Sequence, residues 1–173
     1  MVTFAITSIL LAAYFLYMTN EDAKSMTVPV LPSNILIANF FALYMAQCAV
    51  QKTIPDVIGL LVSFLMLVIF IKKRLFMGSG DAKALFITYL ASPWLTPGPN
   101  PYFSFVNLNP FVPAGIYLFA AVPFLGYCII TGAKQKLPVK EIFFGKHKRC
   151  AFFPFLTVGY LSYISLVFFT HVI

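Results

Sequence analysis

Two aspartates occur in the same tripeptide, Asp-Ala-Lys, each at the edge of an apolar segment. Asp22 lies in TNEDAKSMTVP and Asp81 lies in MGSGDAKALF, in a chain with only 5 acidic residues. Two carboxylates held close together can hydrolyse a peptide bond, because like charges cannot both ionise cheaply and the pair shares a proton. The ionised carboxylate takes a proton from the attacking water, and the protonated one polarises the carbonyl group.

This chemistry requires neither a metal ion nor a nucleophilic side chain. The three cysteines, Cys48, Cys128 and Cys150, have no short spacing and form no pattern of zinc ligands with histidine. We therefore expect no metal and no cofactor, and we interpret Cys48 and Cys128 as packing residues within apolar runs.

The composition indicates that the solvent of this chain is the lipid bilayer. Its 173 residues are 61% hydrophobic and only 10% charged, whereas soluble domains carry about 25% charged residues. A net charge of +7 could indicate nucleic acid, but the basic residues are not interleaved with aromatic residues along a polar face. They form short clusters between apolar runs, as in cytoplasmic loops. We expect a lipid bilayer, and no nucleic acid, as partner.

The apolar runs predict about six transmembrane helices, each of which needs roughly 20 apolar residues or fewer when its ends dip. The runs cover about 2–18, 34–50, 57–71, 81–95, 111–130 and 151–173. Strands are not expected, because open sheet edges cannot face lipid. Since no linker or low-complexity tract interrupts the chain, residues 1–173 are predicted to form one all-α transmembrane domain.

The basic residues predict the orientation of these spans. Six spans place every basic residue except Lys52 on one side of the membrane. The residues on that side are Lys24, Lys72, Lys73, Arg74, Lys83, Lys134, Lys136, Lys140, Lys146, Lys148 and Arg149. Because lysine and arginine accumulate in cytoplasmic loops, this side is predicted to be cytoplasmic and both termini to lie outside. Asp22 and Asp81 are then both expected at the cytoplasmic membrane face.

Glycines precede one of the two aspartates. Gly78 and Gly80 permit backbone conformations that other residues avoid and let another chain approach closely. The alternative for either aspartate is structural, because an aspartate at a helix start is often only an N-cap. Asp56, in TIPDVIGL, precedes the third span on the outer side, and we predict that it is such a cap.

The lysines of the two tripeptides, Lys24 and Lys83, are not expected to pair with the aspartates beside them. Residues two positions apart on a helix do not face each other. Anchoring to lipid headgroups is the main interpretation, and orientation of the substrate or of the aspartates is the alternative.

Three motifs resemble the GxGD membrane aspartyl proteases, that is, the type IV prepilin peptidases and their archaeal preflagellin relatives. GSGDAKAL resembles the GxGDxKL signature of the family. DAKSMTVP resembles the first aspartate motif, in which a proline, here Pro29, follows the aspartate by seven positions. CAFFPFLTVGY, with Pro154 and Gly159, resembles the PFGPFLALG segment of the bacterial enzymes, with Phe153 in the place of a glycine.

The resemblance implies an aspartic endopeptidase of the cytoplasmic membrane. Such an enzyme removes the short basic leader from prepilin-like or preflagellin-like precursor proteins, after a glycine and at the cytoplasmic face. It implies that Asp22 and Asp81 are the catalytic pair. The supporting motif residues are Gly78, Gly80, Lys83, Lys24, Pro29 and Pro154.

Two further expectations concern the type of protein. Large bifunctional members of the family carry a cytoplasmic domain with paired CxxC motifs, which is linked to N-methylation of the new terminus. This chain lacks those cysteines, so a short peptidase-only form without N-methyltransferase activity is expected. The alternative from another functional class is a small six-helix transporter subunit or channel, in which the aspartates bind a cation or cap helices.

Overall fold

The structure is a computed structural model that describes residues 2–25, 29–73, 79–96, 108–135 and 152–172. All regular secondary structure in these ranges is helical, which confirms the predicted all-α class for them. The helices are α1 (Val2–Ser25), α2 (Val30–Gln51), α3 (Val57–Lys73), α4 (Ser79–Leu90), α5 (Ser92–Leu95), α6 (Phe111–Lys134) and α7 (Phe153–Val172).

Four helices in the described ranges are long and apolar enough to cross a membrane, namely α1, α2, α6 and α7. The third predicted span corresponds to α3, which is apolar but shorter. The fourth, 81–95, is divided between α4 with 12 residues and α5 with 4 residues. Pro93 explains the break near Ala91, because proline has no N–H and its ring clashes with the carbonyl group four residues earlier.

The first two helices extend beyond the apolar runs that predict them. α1 continues to Ser25 instead of ending near residue 18, because the segment 19–25 contains neither proline nor glycine and includes good helix formers. α2 begins at Val30, directly after Pro29, whose φ of −58° fits the start of a helix. It ends at Gln51 and is followed by Lys52, whose φ of 54° is the left-handed conformation that terminates many helices. Asp22 is therefore a helical residue.

α4 lies at the centre of the bundle. It packs against α2, α3 and α6, while α1 and α6 both pack along α7. Most of the residues of α4 are buried. The main core joins α1, α4, α6 and α7 through Leu11, Phe15, Met18, Ile87, Leu90, Ile116, Ala120, Phe153, Leu156 and Tyr160. Large apolar side chains such as Ile9 and Phe169 point away from this core and are exposed, as suits a surface solvated by lipid.

α6 and α7 approach each other closely at Gly159. A β-carbon at this position would overlap the carbonyl oxygen of Ile116 and would lie 2.8 Å from the amide nitrogen of Ala120. Gly115 on α6 likewise faces the ring of Tyr163, 2.9 Å from the position of a β-carbon. Small residues allow helix backbones to pack closely in membranes. Gly159, part of the C-terminal motif, therefore has a packing role.

Candidate active site

Asp22 is buried in the last turn of α1, with 7% of its surface exposed. Its Oδ2 atom accepts a hydrogen bond from the backbone amide of Phe153, 3.3 Å away. Phe153 is the first residue of α7, and the first N–H groups of a helix have no partner within it. Asp22 therefore provides an acceptor for the start of a helix that lies 131 residues further along the chain.

Further polar contacts join the same two helices. The hydroxyl oxygens of Thr19 and Thr157 are 2.6 Å apart, and the Thr157 hydroxyl is 3.1 Å from the carbonyl oxygen of Phe15. Towards the other end of α1, the hydroxyl of Tyr160 donates to the carbonyl oxygen of Ser8 at 2.9 Å. The interface between α1 and α7 thus contains a series of hydrogen bonds that ends at Asp22.

Asp81 is the third residue of α4 and is 5% exposed. Ser79 and Gly80 form the start of the helix, so Asp81 lies in the first turn, where the positive end of the helix dipole favours a negative charge. The second predicted carboxylate is therefore also buried, at the start of the central helix.

Tyr14 contacts the start of α2 and Phe153, the residue whose amide binds Asp22. Its hydroxyl oxygen is 3.0 Å from the hydroxyl oxygen of Ser33 on α2, and both residues are buried. Its ring packs edge-on against the ring of Phe153, with 6.1 Å between the ring centroids, and it belongs to the same buried core as Ala84 of α4. Tyr14 is not among the residues that the sequence predicts for the site, because a single tyrosine in an apolar run does not reveal its neighbours.

Both aspartates lie at the end of the bundle where α1 ends and α2, α4 and α7 begin. The bond between Asp22 and Phe153 joins the end of α1 to the start of α7. The Nζ atom of Lys83 donates to Oδ1 of Asn34 at 2.9 Å, which joins the start of α4 to the start of α2. The structure therefore places two buried carboxylates at the same end of an apolar bundle.

The two predicted lysines have different surroundings. Lys24 is exposed in the last turn of α1, which fits the expected contact with headgroups. Lys83 is half-buried and binds Asn34, so its position relative to α2 is fixed. This bond is compatible with the alternative interpretation of Lys83, orientation of the aspartates, which stays a prediction.

The remaining motif residues occupy helix starts. Gly80 is the second residue of α4, Pro29 immediately precedes α2, and Pro154 is the second residue of α7, where a proline does not remove a helical hydrogen bond. Gly78 lies outside the described residues. So do Arg74, Lys136, Lys140, Lys146, Lys148 and Arg149, which contribute to the predicted orientation, and the side chains of Lys72 and Lys73.

Asp56 belongs to a different polar cluster, near the end of α2 and the start of α3. Its Oδ1 atom accepts a hydrogen bond from the amide of Gly59 at 2.8 Å, and its own amide donates to the hydroxyl of Tyr44 at 2.8 Å. Tyr89, near the end of α4, packs in the same buried cluster as Tyr44. The bond to Gly59 satisfies the third N–H of α3, which confirms the prediction that Asp56 is a helix cap.

Within the ranges that the structure describes, no three histidine, cysteine, aspartate or glutamate side chains are grouped so that they could hold a metal ion. Cys48 and Cys128 are both free thiols there. Cys48 packs with Tyr44 and Tyr89, which agrees with its interpretation as a packing residue.

Comparison with known proteins identifies no relative. No protein-family model matches this chain, and neither does any curated protein or solved structure. The likeness to the GxGD peptidases consists of the three motifs around Asp22, Asp81 and Pro154.

Proposed function

We propose that this chain is a membrane-embedded aspartic endopeptidase that removes the basic leader from prepilin-like or preflagellin-like precursor proteins. The observation that carries the proposal is the burial of both Asp22 and Asp81 at one end of a bundle of apolar helices. Buried carboxylates in a membrane protein are costly and usually have a function. We place the chain in the cytoplasmic membrane with six spans, both termini outside and the aspartates at the cytoplasmic face.

In the proposed reaction, one aspartate begins ionised and the other protonated. The ionised carboxylate takes a proton from water while the water oxygen bonds to the peptide carbonyl carbon, and the other carboxyl group gives its proton to the carbonyl oxygen. When the tetrahedral intermediate collapses, the C–N bond breaks and the amine nitrogen takes the proton that came from water. The proton on the former carbonyl oxygen returns to the second carboxylate. The products are a carboxylic acid and an amine.

The substrate class follows from the motifs and from the position of the aspartates. A precursor with a basic leader followed by a glycine and an apolar helix would keep that helix in the bilayer. Its scissile bond would then lie at the end of the helix, at the depth where α1 ends and α4 begins. The resemblance to the prepilin peptidases favours this class over other membrane substrates.

One observation favours the alternative of a small transporter subunit or channel with aspartates in structural roles. Asp22 caps α7, and a cap explains the burial of a carboxylate without catalysis. The two proposals differ in what Asp22→Asn does, because the asparagine side-chain oxygen can still accept the bond from the Phe153 amide but cannot act as an acid or a base.

The test is leader removal in cells that lack any other prepilin peptidase. The chain is co-produced with a reporter precursor that has a basic leader, a glycine and an apolar helix, and the reporter is analysed by immunoblot and by mass of its new N-terminus. We expect cleavage by the unmodified chain and by the control Asp56→Asn. Asp22→Asn and Asp81→Asn should accumulate in the membrane and leave the precursor uncut. Cleavage at the normal rate by either of these two variants would exclude the proposed function.

A further inference from the structure

We propose that Thr157 and Thr19 act as positioning residues for Asp22, by holding α1 and α7 in the register that brings the carboxylate to the amide of Phe153. This inference rests on the proposed function, because the expected effect of these residues is on the rate of catalysis by Asp22. It concerns two threonines that lie within the quoted segments TNEDAKSMTVP and CAFFPFLTVGY but are not among the supporting motif residues.

The geometry places the threonine contact next to the aspartate contact on both helices. Thr19 lies three residues before Asp22 on α1, and Thr157 lies four residues after Phe153 on α7. Because the helices run antiparallel, the contact between Thr19 and Thr157, at 2.6 Å, is one helical turn from the contact between Asp22 and Phe153. A displacement of one helix along the other would break both contacts together.

The hydroxyl of Thr157 has three polar neighbours. It is 5% exposed, and besides Thr19 its hydroxyl contacts the carbonyl oxygens of Phe15 at 3.1 Å and Phe153 at 3.2 Å. A hydroxyl has one hydrogen to donate and can also accept, so Thr157 can donate to a carbonyl while it accepts from Thr19. Its position is therefore determined by both helices.

Apolar contacts alone specify the register of two membrane helices weakly, because the lipid tails around them are equally apolar. Buried hydroxyl groups specify it more strongly, since a shifted register leaves them without partners. The series of contacts from Ser8 to Asp22 along α1 therefore decides where the carboxylate of Asp22 lies. Since catalysis by an acid–base pair depends on positions accurate to less than 1 Å, a loosened register should reduce turnover by about tenfold to a hundredfold.

The experiment measures kcat and KM for leader removal by purified variants in lipid vesicles. Thr157→Val replaces the hydroxyl by a methyl group of similar size, and Thr157→Ser restores the hydroxyl. Thr88→Val is the matched control, because Thr88 is a fully buried threonine whose hydroxyl donates to the carbonyl oxygen of Leu85 within its own helix, α4. Thr19→Val and the double variant Thr19→Val/Thr157→Val complete a double-mutant cycle.

We expect Thr157→Val to lower kcat by about tenfold or more with little change in KM, and Thr157→Ser and Thr88→Val to remain within about twofold of the unmodified enzyme. The double variant should be no slower than Thr157→Val, because both changes remove the same contact. If Thr157→Val fails to accumulate, Thr19→Val must show the same loss of kcat.

The inference is wrong if Thr157→Val and Thr19→Val keep normal kcat while Asp22→Asn is inactive. It is also wrong if Thr157→Ser or Thr88→Val loses as much activity as Thr157→Val, because the effect would then be one of packing. If Asp22→Asn itself retains activity, the proposed function fails, and this result is distinct from the other two.

Discussion

The carboxylate of Asp22 binds the start of α7 through the backbone of Phe153, with 3.3 Å between Oδ2 and the amide nitrogen. Because the donor is a backbone group, the side chain at position 153 does not determine the bond. Phe153, which stands where the similar bacterial motif has a glycine, is therefore compatible with this hydrogen bond. The same carboxylate has a structural role in addition to the proposed catalytic one.

The two roles of Asp22 can be separated by two substitutions. Asp22→Ala removes the acceptor for the Phe153 amide and should lower the free energy of unfolding by about 1 kcal/mol, the usual loss for a helix cap. Asp22→Asn keeps an acceptor and should unfold at nearly the same temperature as the unmodified protein. Thermal unfolding in detergent measures the difference, and both variants should fail to remove leaders. Equal destabilisation by the two variants would contradict the capping role.

The bond between Tyr14 and Ser33 predicts a compensating pair of substitutions. Tyr14→Phe leaves the ring contacts and removes the hydroxyl, so the fully buried Ser33 loses its partner at 3.0 Å. We expect a loss of about 1 kcal/mol in unfolding free energy. Adding Ser33→Ala should recover most of this loss, because both polar groups are then absent.

The single substitution Tyr160→Phe is the control for Tyr14→Phe, because it also removes the hydroxyl of a buried tyrosine. Tyr160 is also buried and its hydroxyl donates to a backbone carbonyl oxygen, that of Ser8, which cannot be removed by substitution. Thermal unfolding is measured for Tyr14→Phe, Ser33→Ala, the double variant and Tyr160→Phe. If the losses of unfolding free energy for Tyr14→Phe and Ser33→Ala add in the double variant, the two hydroxyl groups do not bond directly.

The close approach of α6 and α7 makes Gly159 sensitive to a single methyl group. In Gly159→Ala the new β-carbon meets the backbone of Ile116 and Ala120, which cannot move away without separating the helices. We expect destabilisation of about 1–3 kcal/mol, as for overpacked cores. Gly126→Ala on α6 is the matched control, because a β-carbon there meets nothing within 4 Å. It should be neutral or slightly stabilising, since alanine is the better helix former.

Asp56 should influence stability but not catalysis. Asp56→Ala removes the acceptor for the Gly59 amide and should cost about 1 kcal/mol of unfolding free energy, whereas Asp56→Asn can keep the cap. Both variants should remove leaders at rates within about twofold of normal. Thermal unfolding and reporter cleavage test the two statements separately, and a large loss of cleavage in a stable variant would place Asp56 in the catalytic mechanism.

The predicted orientation can be tested with single cysteines at exposed positions. In a background without Cys48, Cys128 and Cys150, Thr53→Cys lies between α2 and α3 and Gln135→Cys lies just after α6, both exposed. A membrane-impermeant maleimide should label position 53 in intact cells and position 135 only after permeabilisation, because basic loops stay in the cytoplasm. The reverse pattern would place the aspartates at the outer face.

Hydrophobic runs and prolines account for most of the fold that the sequence predicts. The apolar runs locate the long helices, since every backbone group in lipid needs a partner within its own helix. The runs do not locate the helix ends, because residues such as Glu21 and Lys24 are polar yet favourable in helices, so α1 continues through Asp22. The division of the fourth run was not predicted, although Pro93 is the residue that explains it.

The site is only partly predictable for a different reason. The aspartates stand out because charge is rare in this chain, and their motifs identify them. Tyr14 carries no such signal, and Thr19 and Thr157 do not stand out within their motif segments. Hydroxyl groups are common in apolar helices, and the partners of these three residues lie far away in the sequence. Only the register of α1 against α7, which depends on tertiary packing, shows that they contact one another.

The shortness of α4 bears on how water and a peptide would reach Asp81 in the proposed reaction. A helix of 12 residues rises about 18 Å, well below the hydrocarbon thickness of about 30 Å. In a bilayer of that thickness α4 does not reach both headgroup layers, so one of its ends lies beneath them. If that end is the one that contains Asp81, the leader of a precursor would have to enter below the headgroups to meet the carboxylate.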